Sequence, residues 1–246
     1  MGDVKPVNPL ATGFYTVGEA TRLIEVGNGR RILAWLRGYP ARQIGPLLTR
    51  DYAPINGSEE LSFLDLMEVR FVEHFREQGV KVRTLRRAME NARQIFGVEK
   101  PLATDRIRFV AAEDRKDIFV EEVLMPAARA ADDARLWSLL TRQYEIYEFI
   151  QEKLAHGVSF DPRTHLASRW TPRPERFPDI VIDPRIAYGQ PVGPSLVPTR
   201  TLWDAWRAED EDINAVADWF AMPVHEAQQA VEFERSLSDS RQAMAA

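Results

Sequence analysis

Phe14-Tyr-Thr-Val-Gly-Glu-Ala-Thr-Arg-Leu-Ile-Glu-Val-Gly-Asn-Gly-Arg-Arg-Ile-Leu-Ala-Trp-Leu-Arg-Gly-Tyr39 is the stretch that decides how the front of this chain folds. Thr16 followed three residues later by Glu19 is a capping box, in which hydroxyl and carboxylate each take an orphan backbone N–H at a helix start. Val17, Ala20, Leu23 and Ile24 recur at helical spacing, so the helix has one buried stripe. Gly27 and Gly29 are expected to allow a sharp turn. In the second helix Ile32, Leu33 and Leu36 are expected inward, with Arg30, Arg31, Ala34, Trp35 and Arg37 on other faces. A short helix with an apolar back and a basic front suits a DNA major groove.

Working outward, Leu47 to Leu61 reads as a β-hairpin turning at Pro54-Ile-Asn-Gly57, anchored by Leu47, Leu48 and Leu61. A hairpin after a helix-turn-helix is a wing, and Arg50 and Tyr52 on it would reach the DNA backbone or minor-groove edge. Ser62 opens a helix to Gln78 with Phe63, Leu64, Met67, Phe71 and Phe75 on one stripe, closed by Gly79. Another covers Arg83 to Phe96 with Leu85, Ala88, Met89, Ala92 and Ile95 inward, ended by Gly97. Ala103 to Val123 predicts a second hairpin, and Asp132 to His156 a long amphipathic helix. Prolines 162, 172, 174 and 178 mark residues 157–179 as an extended surface connection. After a short strand at Ile180-Val-Ile182, three helices are expected: Thr199 to Arg207, capped by Thr199, then Ile213 to Phe220, then Val224 to Leu237. Ser236 to Ala246 would be a short polar tail.

The predicted fold class is therefore mainly α with small β. A winged helix-turn-helix domain occupies residues 1–100, a hairpin plus long helix 101–156, the Pro-rich connection 157–179 and a small helix-turn-helix domain 180–246.

Composition narrows the function. The 246 residues are 45% apolar and 28% charged, ordinary for a globular protein. No run of about 18 apolar residues and no signal-peptide pattern occurs, so a cytoplasmic protein without a membrane partner is expected. The absence of cysteine excludes disulfides and thiolate chemistry. His74, His156, His165 and His225 are scattered without metal-ligand spacing, and no Gly-rich phosphate loop or Gly-x-Ser-x-Gly elbow is present. No cofactor, no metal and no enzymatic activity are expected.

Charge is unevenly spread. From Arg22 to Arg50 six arginines stand against Glu25, and from Lys81 to Arg93 five bases stand against Glu90. From Arg200 to Leu237 three arginines face nine acids. A basic front and an acidic rear suit two different partners. The last helix offers His225, Glu226, Gln228, Gln229, Glu232 and Glu234, which phosphate would repel, so the rear unit reads as a protein-binding or dimerising module.

Phe14-Tyr-Thr-Val-Gly-Glu-Ala, Trp35-Leu-Arg-Gly-Tyr39, Leu61-Ser-Phe-Leu-Asp-Leu-Met-Glu and Gln78-Gly-Val-Lys-Val-Arg-Thr-Leu-Arg-Arg87 resemble the winged helix of MerR-type DNA-binding proteins. Ile182-Asp-Pro-Arg-Ile-Ala-Tyr-Gly-Gln-Pro-Val192, Val197-Pro-Thr-Arg-Thr-Leu202 and the closing helix-turn-helix resemble the domain of unknown function 433, with Gly193-Pro-Ser-Leu196 where that family has a Gly-Thr-Arg step. Joined, the two are similar to VapB-type antitoxins. That resemblance implies an antitoxin of a type II toxin–antitoxin pair that binds promoter DNA, represses its own gene and silences a PIN-domain ribonuclease toxin. It also implies a homodimer or a toxin–antitoxin hetero-oligomer. Arg30, Arg31, Trp35, Arg37, Tyr39, Arg50 and Tyr52 would be the DNA-facing residues, and Arg241 the residue reaching the toxin's acidic site. The alternative is a MerR-like transcription regulator whose central region senses a small ligand with Phe109, Trp137, Tyr144 and Tyr147. A third reading is an interaction scaffold with a vestigial front.

Overall fold

Ser62 and Asp65 start a helix reciprocally: the Ser62 amide donates to Asp65 Oδ2 (3.0 Å) and the Asp65 amide to Ser62 Oγ (3.1 Å), a capping box with aspartate in place of glutamate. In the computed structural model, which describes residues 12–77, 79–97, 99–105, 107–111, 118–122, 135–138, 144–146 and 156–245, this helix is the axis of the front. It follows α1 (Val17–Ile24) and α2 (Gly29–Arg37) and is numbered α3 (Phe63–Glu77); α4 (Val82–Phe96) comes next. Phe63, Leu66, Met67, Val69, Phe71, Val72 and Phe75 are all buried. Apolar side chains on every side place a helix inside the core rather than on its surface.

The Thr16–Glu19 capping box forms as predicted, with the Thr16 amide donating to Glu19 Oε2 (2.8 Å) and the Glu19 amide to Thr16 Oγ1 (3.2 Å). The α1–α2 turn is made differently. Glu25, at φ 61°, takes the left-handed position expected of Gly27 or Gly29, and the Asn28 side chain caps α2 by accepting from the Arg30 amide (2.8 Å). Gly79 and Gly97 close α3 and α4 as predicted, at φ 83° and 63°.

The predicted wing hairpin over Leu47 to Leu61 does not form. Its anchors Leu47, Leu48 and Leu61 are buried, but the Leu47 and Leu48 amides donate to the Trp35 carbonyl (2.8 and 3.2 Å). Donors spent on the end of α2 cannot pair with a strand. The segment instead makes a tight turn bridged at Ile55/Ser58, and a second such turn, bridged at Tyr39/Ile44, precedes it. Then β2 (Glu60–Leu61) pairs antiparallel with β1 (Tyr15–Thr16) ahead of α1.

In the centre the predicted hairpin is present as β3 (Ile107–Ala111) and β4 (Ile118–Glu122). The long helix predicted over Asp132 to His156 is overturned: β5 (Arg135–Ser138) and β6 (Tyr144–Ile146) lie within it and extend the hairpin to an antiparallel sheet of order β3-β4-β5-β6. Trp137 is in register with Val120 on one side and Tyr144 on the other. Short aromatic-rich runs carry a helical and a strand period equally well, and cross-strand pairing settles the choice.

Residues 157–179 are not a surface connection. They form a hairpin of β7 (Val158–Phe160) and β8 (Ala167–Trp170). Ala167, Trp170, Phe177, Ile180 and Ile182 join the same buried cluster as α1 to α4. The rear helices are α5 (Thr199–Ala208), α6 (Ile213–Trp219) and α7 (Val224–Ala245). They enclose a second small core of Leu202, Trp206, Val216, Met222 and Val231. Helix α7 outruns its predicted end at Leu237 and drives Phe233 and Leu237 into the front core, where the Phe233 and Phe177 rings meet edge to face at 5.5 Å. Thr199 is not a cap: it is the first residue of α5, and its hydroxyl donates to Glu234 Oε1 (2.5 Å). On the other side, Tyr15 Oη donates to the Gly189 carbonyl (2.8 Å), and a Cβ at Gly189 would sit 2.2 Å from that oxygen.

Beneath α3 lies a cluster of buried charge. Lys100 Nζ pairs with Asp65, donates to the Thr49 carbonyl (2.6 Å), and lies 3.5 Å from Asp51 and 4.0 Å from Glu68. Burial pushes the Glu68 carboxyl up to about 7, against the opposing pull of Lys100 and Arg93. The folded chain therefore holds a proton on Glu68 between its ordinary value near 4.5 and about 7, and stability falls as pH rises through that window. Glu68→Gln is expected to flatten the melting temperature across that range and raise it at pH 8. An unchanged pH slope in calorimetry would refute this.

Candidate nucleic-acid interface

On α2 the positions that face the core are Ile32, Trp35 and Leu36, all buried, with Leu33 half-buried at the edge. Trp35, expected on the DNA-facing side, is thus a core residue 5% exposed. The i, i+3, i+4 set chosen by packing is shifted from the one read off the sequence, because the larger indole fills the deeper position. Tyr52 is likewise withdrawn: it is 8% exposed, its hydroxyl donates to the Gly13 carbonyl (2.5 Å) and pairs with Thr12, and burial pushes its phenol up.

Three of the expected phosphate-facing arginines are engaged internally. Arg31 Nη1 donates to Glu73 Oε1 (3.0 Å), and the same carboxylate takes Arg76 at 2.8 and 2.7 Å. Arg37 Nε donates to Glu59 Oε1 (2.6 Å) and Nη2 to the Gly57 carbonyl (3.2 Å), while Arg50 pairs with the same Glu59. Glu59 and Glu73 are both buried. In each set two guanidiniums share one carboxylate, so a net positive charge stays at the surface although the donors point inward.

Arg30 is exposed, and its side chain meets no acid among the described residues. The same is true of Arg42, in the turn after α2. That turn depends on Gly38, whose φ of 70° and approach to the next strand leave no room for a side chain: a Cβ would fall 2.3 Å from the Ile44 carbonyl oxygen. Tyr39 and Ile44 exchange backbone hydrogen bonds of 2.7 and 3.2 Å across it, which leaves Tyr39 52% exposed as the sequence reading expected. Arg86 Nη1 donates to the Pro46 carbonyl (2.6 Å) and ties α4 to the base of this turn. Arg83 and Arg87, one helical turn apart on α4, are exposed and also meet no acid among the described residues. In the front, Arg30 at the start of α2, Arg42 in the Tyr39 turn, and Arg83 and Arg87 on α4 are exposed arginines that meet no acid among the described residues. The sequence reading missed Arg42, Arg83 and Arg87; its signal for the latter two was the basic run from Lys81 to Arg93.

The rear carries the opposite character. Trp219 is 69% exposed at the end of α6, stacked on Phe220 with centroids 6.3 Å apart and next in the chain to exposed Asp218, while the exposed acids Asp210, Glu211 and Asp212 precede the other end of the same helix. Ser195, in the loop that departs from the Gly-Thr-Arg step, donates its amide and hydroxyl to buried Glu226 (2.5 and 2.8 Å) and so fixes the start of α7. Residues 236–245 are not a loose tail, since Ser236 and Leu237 are buried and the helix continues to Ala245. The Arg241 side chain lies outside the described residues, as do those of Phe109, Trp137, Tyr144 and Tyr147. Among the described residues no group of three His, Asp or Glu is placed to hold a metal, and no helix is long and apolar enough to cross a membrane.

Ion pairs clamp the two units together. Arg22 of α1 pairs with Glu234 of α7, and Arg173 pairs with Glu25 and also meets Ser236. A cavity of about 420 Å³ remains beside them, lined by Val17, Thr21, Val26, Asn28, Leu33 and Leu237.

No protein-family model matches this chain, and no curated protein matches it. Among solved structures it resembles the crystal structure of Rv2018 from Mycobacterium tuberculosis, at 24% identity and a TM-score of 0.58, over 92% of this chain and 98% of that one. The likeness supports the fold: mainly α with small β.

Glu59→Gln is expected to release Arg37 and Arg50 from their shared partner. The half-exposed Arg37 limits the stability cost to about 1 kcal/mol, a melting shift of about 2–4 °C in a chain of this size. The variant should also elute from heparin at higher salt than the parent. Unchanged melting and unchanged elution would show that the clamp is absent in solution.

Proposed function

We propose that this chain is a cytoplasmic antitoxin and autorepressor, whose front binds promoter DNA as a dimer and whose rear holds a PIN-domain ribonuclease toxin silent. The observation that carries the reading is the separation of charge on a two-unit helical body. The helix-turn-helix front exposes Arg30, Arg42, Arg83 and Arg87, which meet no acid among the described residues. The rear, from Ala208 to Glu234, holds eight acids and no Lys or Arg. Phosphate binding draws its affinity from exposed Lys and Arg, so the front suits DNA and the rear does not. An exposed tryptophan in an acidic stretch of chain suits a protein surface instead. The resemblance to VapB-type antitoxins names that protein's class.

In this reading Arg30 and Arg42 contact phosphate from the start of α2 and the following turn, with Tyr39 beside them. Arg31, Arg37 and Arg50 contribute positive potential from their clamped positions. Trp35 and Tyr52 hold the scaffold. No cofactor is required.

Binding of a fluorescent promoter duplex, followed by anisotropy across salt, tests this directly. Arg30→Ala and Arg42→Ala are each expected to reduce the magnitude of the log–log salt slope by about one, whereas Arg31→Ala changes it less. Binding that does not vary with salt would defeat the DNA half of the proposal. For the toxin half, Arg241→Ala is the informative variant, because truncation at 236 removes the buried Leu237. Loss of toxin neutralisation by a folded Arg241→Ala chain is expected, and full neutralisation removes Arg241 from the interface.

A further inference from the structure

Two exposed apolar patches lie in surroundings of opposite charge. The first is the turn after α2, where Tyr39 is 52% and Ile44 40% exposed. It sits within a run, Val26 to Arg50, that contains five arginines and no acid. The second is the α6–α7 corner, where Trp219 is 69% and Val224 41% exposed, within the run Ala208 to Glu234 that has eight acids and no Lys or Arg. Trp219 is braced by its stack on Phe220, and the Tyr39 turn by its paired backbone hydrogen bonds. Both patches are therefore presented on fixed backbone, which lowers the ordering cost of docking.

We infer that these patches are complementary to each other, and that the rear corner of one copy seats the Tyr39–Ile44 turn of a second copy, head to tail. In this contact Asp218, next in the chain to Trp219, faces Arg42, and the exposed indole offers its free ring face to the guanidinium and a flat surface to Tyr39. The two runs are opposite in sign and similar in length, each with an exposed aromatic near its centre, and Arg42 and Asp218 are exposed charges within them, whereas Arg31, Arg37, Arg50, Glu226 and Glu234 are engaged within the chain. Such a contact is heterologous: each copy uses a different face, so association grows into chains or closes into rings rather than stopping at a two-fold pair. It engages the same turn that the DNA reading uses, so a polyanion displaces it. It does not depend on that reading, because the full chain alone suffices to form it.

Sedimentation velocity of the full chain at 50 and 500 mM NaCl tests the contact. Wild type is expected to show concentration-dependent species at 50 mM that are absent at 500 mM, since exposed charge pairs are screened at high salt. Trp219→Ala and Arg42→Asp, both at exposed positions and checked for folding by circular dichroism, are each expected to lose that growth. Mixed in equal amounts, they are expected to regain association, because one retains the turn and the other the corner. A wild-type chain that does not grow at 50 mM, growth that both variants retain, or a mixture that stays as small as its components would each overturn the inference.

Discussion

The constraint on which the rest of this structure depends is the burial of most of α3. Arg70, His74 and Arg76 reach partway to solvent and Glu77 is exposed at the end, yet α3 also carries Asp65, Glu68 and Glu73, all buried. A buried carboxylate must be paired, hydrogen-bonded or protonated. Each of these answers appears in turn. Asp65 takes Lys100 and the Ser62 amide, Glu68 is pushed toward its protonated form, and Glu73 takes Arg31 and Arg76. The buried helix thus fixes where the chain must return with a base, and Lys100 is drawn beneath α3 at the exit toward the central sheet.

The same requirement reshapes the functional surface. A helix-turn-helix that reads as uniformly basic in sequence spends part of its charge internally, on Glu73 through Arg31 and on Glu59 through Arg37 and Arg50. What remains free is displaced toward the first turn of α2, the Tyr39 turn and the outer face of α4. Net charge over a segment is a fair guide to long-range potential, but the guanidiniums available for contact are those left after the interior has been satisfied.

Front and rear are coupled for a related reason. The front core is completed by Trp170 and Phe177 from the Pro-rich segment and by Phe233 and Leu237 from α7. Around that apolar contact, Arg22, Glu25, Arg173 and Glu234 form pairs that span α1 and α7. A disturbance at the α7 end therefore meets α1, the first helix of the front helix-turn-helix, through packed side chains rather than across a flexible linker.

Local signals were legible wherever the physics is local. The Thr16–Glu19 box, the glycine stops at 79 and 97, the β3–β4 hairpin and the three rear helices follow from capping chemistry, left-handed backbone and short-range periodicity, which residues within a few positions decide. The readings that failed were those whose outcome belongs to a distant partner. Leu47 and Leu48 gave their amides to Trp35 instead of a wing strand, the residues after 132 joined a sheet edge prepared by β4, and Trp35 took the core position assigned to Leu33. By itself the sequence determined the four front helices and the three rear helices, the Thr16–Glu19 cap, and the division into a basic front and an acidic rear. Tertiary structure alone decided which arginines stay free, whether prolines mark a linker or a core-forming hairpin, and that α7 completes the front core while the rear keeps a small core of its own. Ion pairs and buried area are made between residues far apart in the chain, and no local pattern records them.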